Sequence, residues 1–424
     1  MTGNGRILMS EIVLVLDPGS SSLKFGIYRF ATAPAMASID SATPELLVSG
    51  VIDRLGSPEA EYSAVSPGGR DEIQPAPGLQ PAQAVARTIS SLSKRLGIDL
   101  LVPGSLSAIG CRVVHGGDRF VDPCFVTVEV AAQIRDLKRL APLHNPPAAD
   151  VLEACLGLLP HVPVVAVFDT MFHRTMPAVA RTYALPREVA NIHGIHRFGF
   201  HGIAHGYVSA KLILKLRKTA GESRCITCHL GNGASICAVL NGKSIDTSMG
   251  MTPMEGLVMG TRSGDVDPGI LVFLQRELGM SVDSLDDLLN HKSGLLGVSS
   301  ISSDVRDLES AIARGDVNAQ LAIDLFVYRA AKQIGAYAVA LDGLDGLAFS
   351  GGVGEHAIDI RQRICRQLRV LGVDCSAERN ASAKAGEESL ISSESSKVAV
   401  WVIPADEDIQ IANEVMNLRA TATQ

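Results

Sequence analysis

The stretch EIVLVLDPGSSSLKFGIYRF, residues 11–30, decides the fold. IVLVL (12–16) is an unbroken apolar run closed by Asp17, the pattern of a strand covered on both faces. Gly19 and three serines supply a turn, LKFGIYRF (23–30) returns as a second strand, and VSGVID (48–53) makes a third. Strands that follow one another without a helix predict an antiparallel meander. The segment 57–81, rich in Pro, Gly and charge, reads as a surface excursion. Helical patterns over 82–96, 129–140 and 146–158 precede a buried strand, VPVVAVF (162–168), and a helix over 204–217 follows. A second β block, CITCHLGN, ASICAVLNG and KSIDTS, repeats the strand, glycine turn, strand order of the N-terminus. Two copies of one meander-plus-helices unit predict a bilobal α/β molecule with a cleft between halves.

Beyond this block, Asp267 before Pro268 predicts a capped helix start, and Leu321, Leu325, Tyr328, Ile334, Tyr337 and Leu341 predict a long core helix over 317–341. GLAFSGG (346–352) and VAVWVIP (398–404) read as strands, the Ser-rich segment 376–397 as a loop or irregular helix, and the C-terminus as a helix.

A chain of 424 residues gives two or three domains at ~150 residues each. With 46% hydrophobic and 20% charged residues it is an ordered globular protein. Mean hydropathy is +0.22, yet the apolar runs fall far short of the ~20 residues of a membrane span. A net charge of −7 without a Lys/Arg cluster excludes a nucleic-acid partner. MTGNGRILMSE shows no cationic start with an apolar stretch, and eight dispersed cysteines suit a reducing compartment, so the expected location is the cytoplasm. Cys225 and Cys228 have CxxC spacing, but strand alternation sends their side chains to opposite faces, against a redox or zinc site.

Three glycine turns follow strands. In LDPGSSSLKF, Ser20, Ser21, Ser22 and Lys24 offer donors that either cradle phosphate or merely close a hairpin. In HLGNGAS, His229, Leu230, Gly231, Asn232 and Gly233 form either an Asn-Gly hairpin or a phosphate turn. SGGVGEHA places Gly351, Gly352, Val353 and Gly354 between a strand and a helix start, where a nucleotide can approach. GKS (242–244) is no Walker A loop, because Cys237 stands where its first glycine belongs. Gly352, Gly354 and Ala357 satisfy a GxGxxA dinucleotide pattern with Asp374 at the acidic position, but only 70 residues follow Gly354, too few for a doubly wound domain.

Arg112 and Arg262 sit among small residues, as phosphoryl-binding forks or ordinary ion-pair residues. His115, His144, His173 and His201 lie beside turns, where a core histidine is the default; neither His193/His196 nor His201/His205 has a zinc-ligand partner at suitable spacing. Asp169 and Glu407, at strand ends, are either helix caps or oxygen ligands for Mg2+.

LDPGSSSLKF, CRVVHGG, APLHNPP, VFDTMFH, FGFHG, HLGNGAS, DTSMGMTPMEGLVMGTRSGDVDP, SGGVGEH and VIPADED occur in order from residue 11 to the C-terminus. In this the chain resembles the acetate and propionate kinase family, within the superfamily of sugar kinases, actin and heat-shock ATPases. The resemblance implies a two-domain duplicated ribonuclease H-like fold, ATP in the interdomain cleft, Mg2+ (with Mn2+ as a substitute), and a homodimer. It divides the chain into 11–170 plus 408–424 and 171–407, the latter holding the nucleotide.

It also implies that Arg112 and Arg262 hold the carboxylate and the moving phosphoryl group, that His201 stabilises the transition state with His144 nearby, and that Asp169 and Glu407 organise magnesium and substrate. Val114, Leu143, Phe200 and Pro253 are implied to line the acyl pocket. The turns at 229–233 and 351–354 correspond to phosphate and adenosine contacts. The expected reaction is phosphoryl transfer from ATP to acetate, with propionate or another short carboxylate as alternative acceptor. An NAD-linked dehydrogenase and an actin-like assembly ATPase are alternatives of other classes. The chain departs from the family pattern where Asp17 and Pro18 replace Asn and Ala, Cys111 replaces His, and His356 replaces Asn. The added carboxylate at Asp17 either binds Mg2+ or repels ATP.

Overall fold

The computed structural model describes residues 11–31, 44–69, 72–217 and 222–422, and the segment before Glu11 lies outside them. Contacts divide the chain into two units, Met1–Met171 with Asp406–Gln424, and Phe172–Ala405.

The first unit is built on β1 (Glu11–Pro18), β2 (Leu23–Phe30), β3 (Glu45–Asp53), β4 (Glu61–Val65), β5 (Glu72–Pro75), β6 (Ala108–Val113), β7 (Cys124–Phe125) and β8 (Val164–Phe168). They form one sheet in the order β5-β4-β3-β2-β1-β6-β8-β7. The meander β1–β2–β3 is antiparallel, whereas β6 joins β1, and β8 joins β6, in parallel. Val13 to Leu16 are completely buried because helices cover both faces, which is why this strand is apolar without alternation.

The segment 57–81 differs from its reading as an excursion: it holds β4 and β5, which extend the meander edge. Tyr62 and Ala64 point into the core while Glu61 faces solvent, so a short alternating strand was hidden among the Pro and Gly of an edge.

The second unit contains β9 (Arg224–Leu230), β10 (Ala234–Leu240), β11 (Lys243–Thr247), β12 (Gly346–Ser350), β13 (Ser389–Leu390) and β14 (Ala399–Val402), ordered β11-β10-β9-β12-β14-β13. Again the first three strands are antiparallel and the next two parallel, so β3-β2-β1-β6-β8 and β11-β10-β9-β12-β14 are one five-stranded plan used twice. Asp267 caps the helix Pro268–Leu278 by accepting from the Gly269 N–H.

The helix Val317–Ala340 is long as expected, but its buried stripe is Ala319, Ala322, Ile323, Phe326, Val327, Ala330 and Ile334. Leu321 and Tyr328, expected in the core, are more than half exposed because they stand on the opposite side of the helix. In the Ser-rich segment a short helix, Ala377–Ser382, precedes β13.

Candidate active site

In the first unit the chemistry gathers at the C-terminal ends of the parallel strands. Leu16 of β1 pairs with Cys111 of β6, which sets Asp17 beside Arg112. Asp169 directly follows β8, and Glu407 opens the returning helix Glu407–Ala422. The guanidinium meets all three carboxylates: Nη1 is 3.1 Å from Asp17 Oδ1, Nη2 3.0 Å from Asp169 Oδ2, and Nε 3.5 Å from Glu407 Oε2.

Burial opposes charge on Arg112, but Asp169, Asp17 and Glu407 overcome it and hold its pKa well above the usual value. Three acids share one guanidinium, and the surplus negative charge is visible in Glu407. Burial, opposed by Arg112 and reinforced by Asp169 and Asp17, pushes its carboxyl up to about 7. Asp408 is likewise raised to about 7, by burial first and then by Asp17 and Asp406. Among the described residues no group of three His, Cys, Asp or Glu side chains forms a ready metal cage. Oxygen donors with excess negative charge nevertheless fit Mg2+, which keeps much of its water and takes only one or two carboxylates.

At the β1–β2 turn the Gly19 N–H donates to the Ser22 carbonyl at 2.8 Å, leaving the side chains of Ser20, Ser21 and Lys24 exposed, with Lys24 opposite Asp17 in the strand register. Val114 is buried at 8% exposure, Leu143 is exposed, and His144 is half-buried at the start of the helix Asn145–Leu158. His115 belongs to a buried structural network with Asn145: its main-chain N–H donates to Asn145 Oδ1 at 3.2 Å and its ring Nδ1 accepts from the Gly117 N–H at 2.9 Å.

The second unit offers a different set. Gly199 has φ of +78°, and a Cβ there would lie 2.4 Å from Thr247 and 2.6 Å from the His173 ring, so only glycine fits. Two residues on, His201 also adopts positive φ, at 54°, an uncommon state for a non-glycine residue. The buried His173 pins this turn: its Nε2–H donates to the Phe200 carbonyl at 3.0 Å, while Nδ1 bonds Ser244 Oγ at 2.9 Å. His201 begins the helix Gly202–Leu216, its Nδ1 2.8 Å from Ser235 Oγ and its ring 4.7 Å from that of His229.

Over the HLGNG turn two groups converge. A point one bond from Gly233 Cα, where a Cβ would stand, is 3.5 Å from both His201 Nε2 and Arg262 Nη1. Arg262 donates to the Pro253 carbonyl at 3.2 Å but, among the described residues, has no carboxylate partner. Burial alone lowers its pKa, the mark of a cation withdrawn from water without an anion.

On the other side of the turn, Gly231, Asn232, Gly352, Val353 and His356 line a cavity of about 610 Å³. Its remaining wall includes Ser303, Asp304, Arg306 and Glu309, which the sequence reading missed. The one local signal was the Asp304 cap, which accepts from the Arg306 N–H at 2.9 Å. Leu230 and Gly354 are buried, and Phe200 is 2% exposed. Cys225 and Cys228 are buried in β9, Cys225 in an aliphatic cluster.

A twice-used five-stranded plan, with polar turns at its strand ends and a glycine-lined cavity in the second unit, gives the framework of a nucleotide-handling protein. The family model described as the acetokinase family matches residues 12–413, and this chain belongs to that family. An acetate kinase of Clostridium botulinum (strain Eklund 17B / Type B) is 43% identical over 406 residues, covering 96% of this chain and 99% of the relative. One from Heliobacterium modesticaldum is 43% identical over 408 residues, with the same coverage. Among solved structures, Porphyromonas gingivalis acetate kinase superimposes with a TM-score of 0.87 at 40% identity, covering 96% of this chain and 99% of its own. A propionate kinase from Francisella tularensis gives 0.83 at 36% identity, covering 95% and 98%.

Proposed function

We propose that this protein transfers the γ-phosphoryl group of ATP reversibly to acetate, giving acetyl phosphate and ADP. The observation that carries this reading is Arg262: a guanidinium with no carboxylate partner among the described residues, converging with His201 over a glycine turn that borders a nucleotide-sized cavity. A carboxylate is ionised at neutral pH and needs no base to become a nucleophile. The obstacle is the repulsion between two anions, and the remedy is positive charge and hydrogen-bond donors placed where charge develops.

In this reading Arg262 and His201 receive the moving phosphoryl group, and Arg112, oriented by its three acids, meets the substrate carboxylate with His144 nearby. The turns at Ser20, Ser22 and Lys24, at His229–Gly233 and at Gly351–Gly354 hold the phosphates and nucleoside. Asp17 and Glu407 would hold Mg2+, with Asp169 beside them; the ion supplies charge neutralisation to the phosphate oxygens when bound. Val114, Leu143, Phe200 and Pro253 would line the acyl pocket. Such a surface separates acetate from propionate by only about 1–3 kcal/mol per methylene, so the propionate kinase among the neighbours keeps that acceptor as the second reading.

A homodimer belongs to the same proposal. The helix Pro268–Leu278 has no buried residue, and Ile270, Val272, Phe273 and Leu278 stand 45–64% exposed around it, uncovered apolar surface suited to a second copy. No helix among the described residues is long and apolar enough to cross a membrane, and the proposed location is the cytoplasm. The test is to incubate the protein with ATP, Mg2+ and a panel of short fatty acids and trap acyl phosphate with hydroxylamine. Acetyl hydroxamate is expected, and its absence with every acid overturns the reading.

A further inference from the structure

Beneath His201 runs a chain of buried polar groups that phosphate binding does not use. Thr227 Oγ1 is 2.7 Å from His205 Nδ1, His205 Nε2 is 2.7 Å from Ser235 Oγ, and Ser235 Oγ is 2.8 Å from His201 Nδ1. Thr227 and Ser235 are completely buried, and His205 is 1% exposed. The strand register makes this chain: β9 and β10 place Thr227 opposite Cys237 and His229 opposite Ser235, so both hydroxyls rise on one face beneath the helix Gly202–Leu216.

The direction of these hydrogen bonds follows from counting donors. Among the described residues the Thr227 hydroxyl meets one partner, His205 Nδ1, so its proton must point there or remain buried and unsatisfied. With Nδ1 accepting, a neutral His205 carries its proton on Nε2 and donates it to Ser235 Oγ. The Ser235 hydroxyl has only His201 Nδ1 left as an acceptor. His201 therefore accepts at Nδ1 and holds its proton on Nε2, the nitrogen on the Gly233 and Arg262 side. The neutrality of His205 is secured by burial, with His173, His229 and His201 adding to the effect, which together push its pKa well below the ordinary histidine value.

We infer that Thr227, His205 and Ser235 are positioning residues for the phosphoryl transfer: they fix the tautomer of His201 so that its Nε2–H is presented as a donor to the moving group. A reversed chain would need His205 Nδ1 to donate to Thr227, stranding the Thr227 hydroxyl proton in the core. The hydroxyls of a strand pair thus set the protonation site of a histidine at a strained turn, in the way a partner on one ring nitrogen selects the function of the other. The inference rests on the role of His201 proposed above, but the tautomer is measurable without turnover.

In protein labelled with 15N-histidine, long-range proton–nitrogen correlation, assigned through a His201→Gln variant, should show His201 protonated on Nε2 and bare on Nδ1. Thr227→Val keeps the shape of the side chain and removes the donor. It should mix the two tautomers and lower kcat by about tenfold, a size usual for losing a partner that orients a functional histidine, with KM for ATP little changed. Thr227→Ser should restore both tautomer and kcat. A wild-type His201 protonated on Nδ1 overturns the inference whether or not Thr227→Val folds, and so does a folded Thr227→Val with unchanged tautomer and turnover. If the tautomer is as expected but His201→Gln retains full kcat, the relay stands and the assigned role of His201 falls.

Discussion

Arg112 stands on β6 of the first sheet and Arg262 in the irregular segment that follows β11 of the second, and their surroundings are opposite. Arg112 lies among Asp17, Asp169 and Glu407, whereas Arg262 has a main-chain carbonyl, a methionine sulfur and no carboxylate among the described residues. The acids hold the first guanidinium in a fixed orientation, and that suits a fork that must meet a small carboxylate in one pose. In the proposed reading the second, with no carboxylate among the described residues, neutralises the arriving phosphoryl group.

The sharpest break of this comparison is to remove each arginine. Arg112→Ala and Arg262→Ala should both lower kcat by about 10²–10⁴-fold, the range for losing a group that stabilises developing charge, while ATP still binds. Stability should separate them. Arg112→Ala leaves three partly buried acids without their cation and should destabilise the first unit by about 3–5 kcal/mol, seen in denaturant unfolding. Arg262→Ala removes an uncompensated buried charge and should leave stability equal or higher. Near-wild-type turnover in both variants would end the catalytic assignment, and equal stability losses would end the contrast.

A smaller effect concerns Asp17. Asp17→Asn removes one of three negative charges around Arg112. If Asp17 helps to hold Mg2+, the free Mg2+ concentration for half-maximal activity should rise several-fold, as expected for one lost charged oxygen ligand. An unchanged Mg2+ dependence removes Asp17 from the metal site. For the uncovered apolar residues of Pro268–Leu278, Phe273→Lys should halve the mass measured by light scattering if a second copy covers that helix, and an unchanged mass would place the dimer contact elsewhere.

What was legible in the sequence were the features with strong local codes. The run 12–16, the Gly/Ser and Asn-Gly turns and the Asp267–Pro268 cap each announce their structure within a few residues, and all are present. β4 and β5 were missed because an edge strand carries the same Pro, Gly and charge as a loop. Leu321 and Tyr328 were misplaced because spacing alone reports a stripe without reporting which stripe is covered; the small residues Ala319, Ala322 and Ala330 mark the buried one. The candidate site residues stand beside turns that the sequence announces, but the wall formed by Ser303, Asp304, Arg306 and Glu309 and the Thr227–His205–Ser235 chain depend on contacts across many residues and on strand register.

Connectivity gives the last comparison. The chain passes from the first unit to the second after β8 and returns after β14, and each time a following helix covers the central parallel pair of the receiving sheet. Gly202–Leu216 lies on β9 and β12, and Glu407–Ala422 on β1 and β6. Each helix approaches over a strand glycine. A Cβ at Gly110 would stand 2.7 Å from Ile411 Cγ2 and 2.8 Å from Val415 Cγ2, short branches fixed close to the helix axis. A Cβ at Gly346 would stand 3.0 Å and 3.2 Å from the Cδ1 atoms of Leu216 and Leu212, the far ends of side chains that can rotate away. Overpacking should therefore cost more at the first contact. Gly110→Ala should destabilise the first unit by about 1–3 kcal/mol and disturb Glu407, which the displaced helix carries, so that turnover falls as well. Gly346→Ala should cost less than half as much stability and leave turnover within about twofold, because its helix can adjust without moving His201. Denaturant unfolding and the hydroxamate assay on both variants check this, and a larger loss at Gly346 would show that the two helices are not held in the same way.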